Sequence, residues 1–234
     1  MFPRRIFYWC GLTATQPFNT GIQRVTRCLA SSLQKLGVEV IPVKSHGSTL
    51  ALINQREADH LAKWGGPRFD MAQLTLPRRL VDEWVLIPEM TPFDAIGIAH
   101  ALRMRSAPIF YDMIPLKMPE LYNAGTLDWM IPYWRSFSKA SVVLPISNTV
   151  SADLLEWQTE NNLPNTFRSP CLLSGEIPGA PRGILKRAPR RAGDPIHLLA
   201  IGSLSRAKTT RRSSGLARAV AVASTSVSRS WAVR

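Results

Sequence analysis

Hydrophobic residues fall along this chain in short unbroken runs and one helical stripe. Ile6-Phe7-Tyr8-Trp9-Cys10 is a continuous apolar run followed by a Gly/Thr/Asn/Pro-rich loop from Gly11 to Thr20, the pattern of a buried parallel strand. Ile22, Val25, Leu29, Leu33 and Leu36 then recur at steps of three and four, which predicts a helix with that stripe as its core face. Thr20 with Gln23 reads as a capping box, and Gly37 as the helix stop. Val38 to Val43 is a second strand. This strand–loop–helix–strand unit is the repeating element of a doubly wound sheet.

Further strands are expected at Trp84 to Pro88, Ala107 to Tyr111 and Ser141 to Ile146. Helices are expected over Phe93 to Met104, over Thr126 to Lys139 with Pro132 in its first turns or kinking it, and after Ser147, where Val150, Leu154 and Trp157 share a face. Lys44 to Leu80 shows no clear period. Residues 164–195, rich in Pro and Gly, read as a linker, and His197 to Leu204 as a new strand. The expected organisation is an α/β Rossmann-like parallel-sheet domain over residues 1–163 and the linker over 164–195. The stub of a second such domain follows over 196–208, and a low-complexity basic tail over 209–234.

Charge sharpens that division. The 234 residues carry a net charge of +13, yet residues 182–234 hold 12 Lys or Arg against the single acid Asp194. Residues 1–181 are nearly balanced, so the basic pI of about 10.5 describes the C-terminal quarter and not the body. From Thr209 to Arg234, 19 residues are Ala, Ser, Arg or Thr and none is acidic, a composition that predicts disorder. A shifted reading frame in a GC-rich gene yields the same composition. The opening strand of the second domain would then lack sheet partners and present an open edge.

Several chemistries lack their signatures. The three cysteines are widely spaced, which suits a reducing cytosol. The four histidines lie far apart with no HExxH or CxxC, so no metal is expected. There is no GxSxG elbow, GxxxxGK[ST] loop or GxGxxG fingerprint, and no apolar stretch near the ~20 residues that span a bilayer.

Positive candidates cluster after the strands. Gly21 opens the first long helix, where free amides and the helix dipole favour an anion. Tyr111 and Asp112 follow a strand and offer a hydroxyl and a carboxylate to a ligand crevice. Glu89, after Pro88, is a similar case, while Ser147 is first a helix cap. Gly202-Ser203-Leu204-Ser205-Arg206-Ala207-Lys208 sets a small-residue turn before a cation, an arrangement suited to a diphosphate.

Together, Asn19-Thr20-Gly21-Ile22-Gln23-Arg24-Val25, Phe110-Tyr111-Asp112-Met113-Ile114-Pro115-Leu116, Val143-Leu144-Pro145-Ile146-Ser147-Asn148-Thr149-Val150 and Ile201 to Lys208 resemble the retaining glycosyltransferases of family 4. The resemblance implies a GT-B architecture, with an acceptor-side N-terminal domain and a nucleotide-sugar-binding C-terminal domain. It implies transfer of a sugar from a nucleotide-sugar to a glycan or lipid-linked acceptor in bacterial envelope polysaccharide synthesis, without a metal or other cofactor. Gly21 and Lys208 would face the donor phosphates, and Tyr111 and Asp112 would be catalytic; Glu89 and Ser147 would lie on the acceptor side. The expected location is cytoplasmic, peripheral at the inner membrane face. Three features depart from the family. Tyr111-Asp112 stands where many members have His-Asp, Ala207 stands where a basic residue often precedes the lysine, and no glutamate follows Glu176. The family's paired C-terminal glutamates are thus missing, and the chain is expected to be a truncated, inactive copy. The competing expectation is a noncatalytic Rossmann-like binding module whose basic tail docks on anionic membrane or nucleic acid, although no specific nucleic acid is expected.

Overall fold

The computed structural model describes residues 4–91 and 94–173, and the backbone of three further strands, His197–Gly202, Arg218–Ser224 and Ser228–Ala232. These fall into two compact units, one of Met1–Ile114 with Gly125–Gly175, the other of Pro115–Ala124 with Glu176–Arg234.

The first unit is an α/β layer structure around a six-stranded mixed sheet. In chain order it contains β1 (Arg5–Trp9), α1 (Gly11–Thr15), α2 (Gly21–Lys35), β2 (Glu39–His46), β3 (Thr49–Leu52), α3 (Gln55–Leu61), β4 (Trp84–Ile87), α4 (Ala95–Ala101) and β5 (Arg105–Phe110). A short α5 (Ile114–Lys117) leads across the unit boundary, and α6 (Thr126–Ser136), β6 (Leu144–Pro145) and α7 (Asn148–Glu160) complete the unit. The strand order is β3-β2-β1-β4-β5-β6. All neighbours are parallel except β3, which runs antiparallel to β2 at the edge. The chain builds outward from β1 in one direction and from β4 in the other, so the order reverses between β1 and β4. Ligands of open α/β sheets bind outside the carboxyl ends of the strands at such a reversal.

Local chemistry accounts for most of the elements. β1 is buried from Ile6 to Trp9, as a strand covered on both faces requires. Gln23 Oε1 reaches back 2.7 Å to accept from the Thr20 amide, which is the expected capping box. At the other end Gly37 takes φ +77°, its amide donates to Gln34 O, and the Val38 amide donates to Leu33 O. Those two bonds make a Schellman stop. Asp94 caps α4 and Ser147 caps α7, with Ser147 Oγ accepting from the Val150 amide at 3.1 Å.

Three expectations are corrected. The apolar stripe of α2 is only in part its core face: Leu29 and Leu33 pack against the core, but Leu36 is 78% exposed, and the buried positions are Gln23, Thr26, Arg27 and Ala30. Polar side chains on that face have hydrogen-bond partners: Thr26 Oγ1 donates to Ile22 O at 3.0 Å, and the bonds of Gln23 and Arg27 are set out below. Within the unpatterned stretch Lys44 to Leu80 lie β3 and α3, the latter started by Asn54, whose side chain accepts from the Glu57 amide. The strand expected over Ser141 to Ile146 shrinks to two residues. The Ser141 and Val142 amides turn back to Ser106 O, Val143 pairs with Arg168 outside the named strands, and Pro145 has no amide to donate. The segment around Phe167 to Cys171 therefore runs beside β6, with the Ser169 and Cys171 amides donating to Val143 O and Pro145 O.

In the second unit, β7 (His197–Gly202) pairs in parallel with β8 (Arg218–Ser224), which pairs antiparallel with β9 (Ser228–Ala232). The expected lack of regular structure after residue 209 is corrected by this pairing; β7 gains one partner, β8, and stands at an edge of the three-stranded sheet. Val220 and Val222 alternate with alanines, a period of two that suits a strand. Among the described residues, no helix is long and apolar enough to cross a membrane.

Candidate functional site

The carboxyl ends of β1, β4 and β5 bring Cys10, Glu89 and Tyr111 together beneath the loop that carries α1. Glu89 is the centre. Its side chain is buried, and it accepts three hydrogen bonds: Oε1 from the Leu12 amide at 2.9 Å, Oε2 from the Thr13 amide at 2.9 Å and from Thr13 Oγ1 at 2.8 Å. Each carboxylate oxygen offers about two acceptor positions. Among the described residues Oε2 is saturated and one position remains on Oε1.

Burial pushes the Glu89 carboxyl up to about 7, opposed by the Leu12 amide, the Thr13 amide and hydroxyl, and the Arg27 guanidinium. A carboxyl in that range exchanges its proton at neutral pH, as an acid–base group must. Its charge is felt by its neighbours. Burial first, and the Glu89 charge second, raise the Cys10 thiol and the Tyr111 phenol.

Arg27 supplies the counter-charge from the buried face of α2. Its guanidinium donates to Thr13 O at 3.1 Å and to Asn19 Oδ1 at 2.8 Å, and its centre lies 4.6 Å from the Trp64 ring centroid. The Thr13 peptide and hydroxyl thus link a buried cation to a buried carboxyl. The rest of the 11–20 loop is tied down in the same way. Gln23 Nε2 donates to Gln16 Oε1 at 2.6 Å, and His60 Nε2 donates to Gln16 O at 2.7 Å.

An open cavity of about 160 Å³ lies against Glu89, walled by Trp9, Leu12, Thr15, Lys44 and Thr91. Lys44 Nζ is paired with both oxygens of Glu57, at 2.6 and 2.8 Å. On the far side of that pair a second open cavity of about 490 Å³ is lined by Thr15, Arg56, Glu57, Asp59, His60 and Lys63. Thr15 belongs to both cavities. Among the described residues no group of three or more His, Cys, Asp or Glu is placed to hold a metal ion.

The residues expected from sequence are placed unevenly. Glu89 and Tyr111 come together, but the Tyr111 hydroxyl donates to Pro88 O and so fixes the backbone entering Glu89. Asp112 Oδ1 accepts from the Ile114 amide at 3.1 Å, a local turn bond. Ser147 is spent on its cap. Gly21 is exposed at the start of α2, with nothing within 4 Å of where a Cβ would stand, and lines neither cavity. Lys208 lies outside the described residues. Thr13, Arg27 and His60 were not legible as site residues. Only α3 had a readable signal nearby, the Asn54-x-x-Glu57 capping box.

Comparison with family models, with curated proteins and with solved structures finds no match to this chain.

Proposed function

We propose that residues 4–173 form the acceptor-side domain of a retaining glycosyltransferase of GT-B type, and that Glu89 binds a sugar hydroxyl in the cavity beside it. The observation carrying this reading is the placement of Glu89: a buried carboxyl with one free acceptor position, at the strand-order reversal, against an open cavity. The family-4 motif residues support it from the sequence; none of them lines the cavity, but Tyr111 holds Pro88 O and Asn19 holds Arg27. A nucleotide-sugar would be the donor of the full-length family, its diphosphate met by Lys208 and no metal taking part; without the family's paired C-terminal glutamates this chain would be a truncated, inactive copy.

In this role Glu89 binds rather than attacks. Deprotonated, the free position on Oε1 accepts an acceptor hydroxyl's hydrogen; protonated, it donates to the hydroxyl oxygen. Tyr111, Thr13 and Arg27 act through Glu89 by fixing its backbone, its oxygens and its charge. Saturation-transfer NMR of the full chain with methyl glycosides of glucose, galactose and mannose tests the reading. Transfer to at least one glycoside, lost in Glu89→Gln and unaffected by chelator, is expected. Transfer to none of them overturns it.

A further inference from the structure

We infer that the cavity between α1 and α3 is an anion subsite, in which Arg56 and Lys63 hold a phosphate group carried by the same ligand whose hydroxyl meets Glu89. The charges of the cavity do not balance from within. Glu57 is consumed by Lys44 at 2.6 and 2.8 Å and by the Asn54 amide at 2.7 Å. The other lining carboxylate, Asp59, accepts from Gln55 Nε2 at 2.8 Å. Against it stand two exposed cations. Arg56 makes no hydrogen bond or ion pair among the described residues, and Lys63 has only His60 Nδ1, at 3.4 Å.

Their spacing makes one stripe. Arg56, His60 and Lys63 stand at i, i+4 and i+7, so all three share one side of α3 and the turn after it, and all three line the cavity. His60 is locked between them. Its Nε2 must carry the hydrogen given to Gln16 O, because a carbonyl only accepts, and Nδ1 therefore receives from Lys63. The ring serves as a fixed spacer between two cations. A guanidinium suits bidentate contact with phosphate, and an ammonium adds a point charge. Thr15 lines both this cavity and the one beside Glu89, which sets the two side by side for one ligand that carries a hydroxylated ring and a phosphate ester.

The sugar half of this inference rests on the proposed function, and the anion half does not. The test is an NMR titration of the full chain with inorganic phosphate at fixed pH, read at the His60 ring nitrogens. A saturable shift is expected, weakened at least tenfold in the double variant Arg56→Gln/Lys63→Gln and retained in Glu89→Gln. Both cations are exposed, so their replacement leaves the fold intact. Reading at His60 separates this site from general phosphate binding by the basic C-terminal quarter. No saturable shift at His60, or a shift unchanged in the double variant, overturns the inference even where glycoside binding persists. Glucose 1-phosphate and phosphatidylglycerol vesicles then distinguish a soluble ester from a lipid-borne one, according to which reproduces the His60 shift.

Discussion

The amide and the hydroxyl of Thr13 both donate to Glu89 Oε2, at 2.9 and 2.8 Å. That joins the loop after β1 to the end of β4, the two strands between which the sheet order reverses. The Thr13 carbonyl meanwhile accepts from Arg27. One residue therefore couples a buried carboxyl to a buried guanidinium.

Stability should depend on pH through Glu89. Its folded value of about 7 lies above the ordinary value of 4.5, so the folded state holds a proton that the unfolded state releases first. Stability is full below about pH 4.5 and falls as pH rises to about 7, by an amount on the order of 3 kcal/mol. Urea unfolding at closely spaced pH values measures this. Glu89→Gln should flatten the dependence over that window, while losing about 1–3 kcal/mol because its amide nitrogen cannot accept from Leu12 or Thr13. A wild-type slope that survives in the variant would contradict the assignment.

Thr13→Val keeps the shape and removes the hydroxyl. One stabilising hydrogen bond to the ionised carboxylate disappears, so the Glu89 titration should move upward from about 7, with a stability loss of about 1 kcal/mol at neutral pH. Side-chain carboxyl 13C shifts of labelled glutamate report the midpoint.

Arg27→Met leaves Thr13 O and Asn19 Oδ1 without their donor and removes the cation under Trp64. A loss of about 2–4 kcal/mol is expected in urea unfolding, with the Glu89 midpoint again raised. Arg27→Lys should recover only part of this, because an ammonium cannot reproduce the planar fork that reaches both acceptors.

Two glycines should respond oppositely to alanine. At Gly66 a Cβ would stand 1.9 Å from Leu61 O, a backbone atom, so Gly66→Ala should cost at least about 3 kcal/mol in thermal or urea unfolding. At Gly21 the space is open and the residue begins a helix, so Gly21→Ala should be neutral or stabilising by up to about 1 kcal/mol. An equal loss at both positions would refute the local packing described for Gly66.

Local rules made much of this fold legible. Uninterrupted apolar runs located β1, β2, β4 and β5, and cap chemistry placed the ends of α2 and the start of α7. β3 and α3 escaped because their stretch lacks a sustained apolar period and is held by an ion pair and a capping box instead. The site was harder to read. Glu89 was visible as a strand-end carboxylate, but Arg27 sits on a helix face whose neighbours Gln23 and Thr26 are polar, and polar positions are expected to face solvent. Its burial depends on Asn19, Thr13 and Trp64, contacts that only the tertiary fold creates. Tyr111 was correctly singled out as a strand-end residue, yet its hydroxyl is turned to Pro88 O.

The most direct measurement is a pH titration of the Glu89 side-chain carboxyl by 13C NMR, with and without a saturating methyl glycoside. A midpoint near 7 that shifts when the glycoside is added is the predicted result. A midpoint near 4.5, unmoved by any glycoside, would contradict the account, because Glu89 would then be neither held in a buried pocket nor in contact with a sugar.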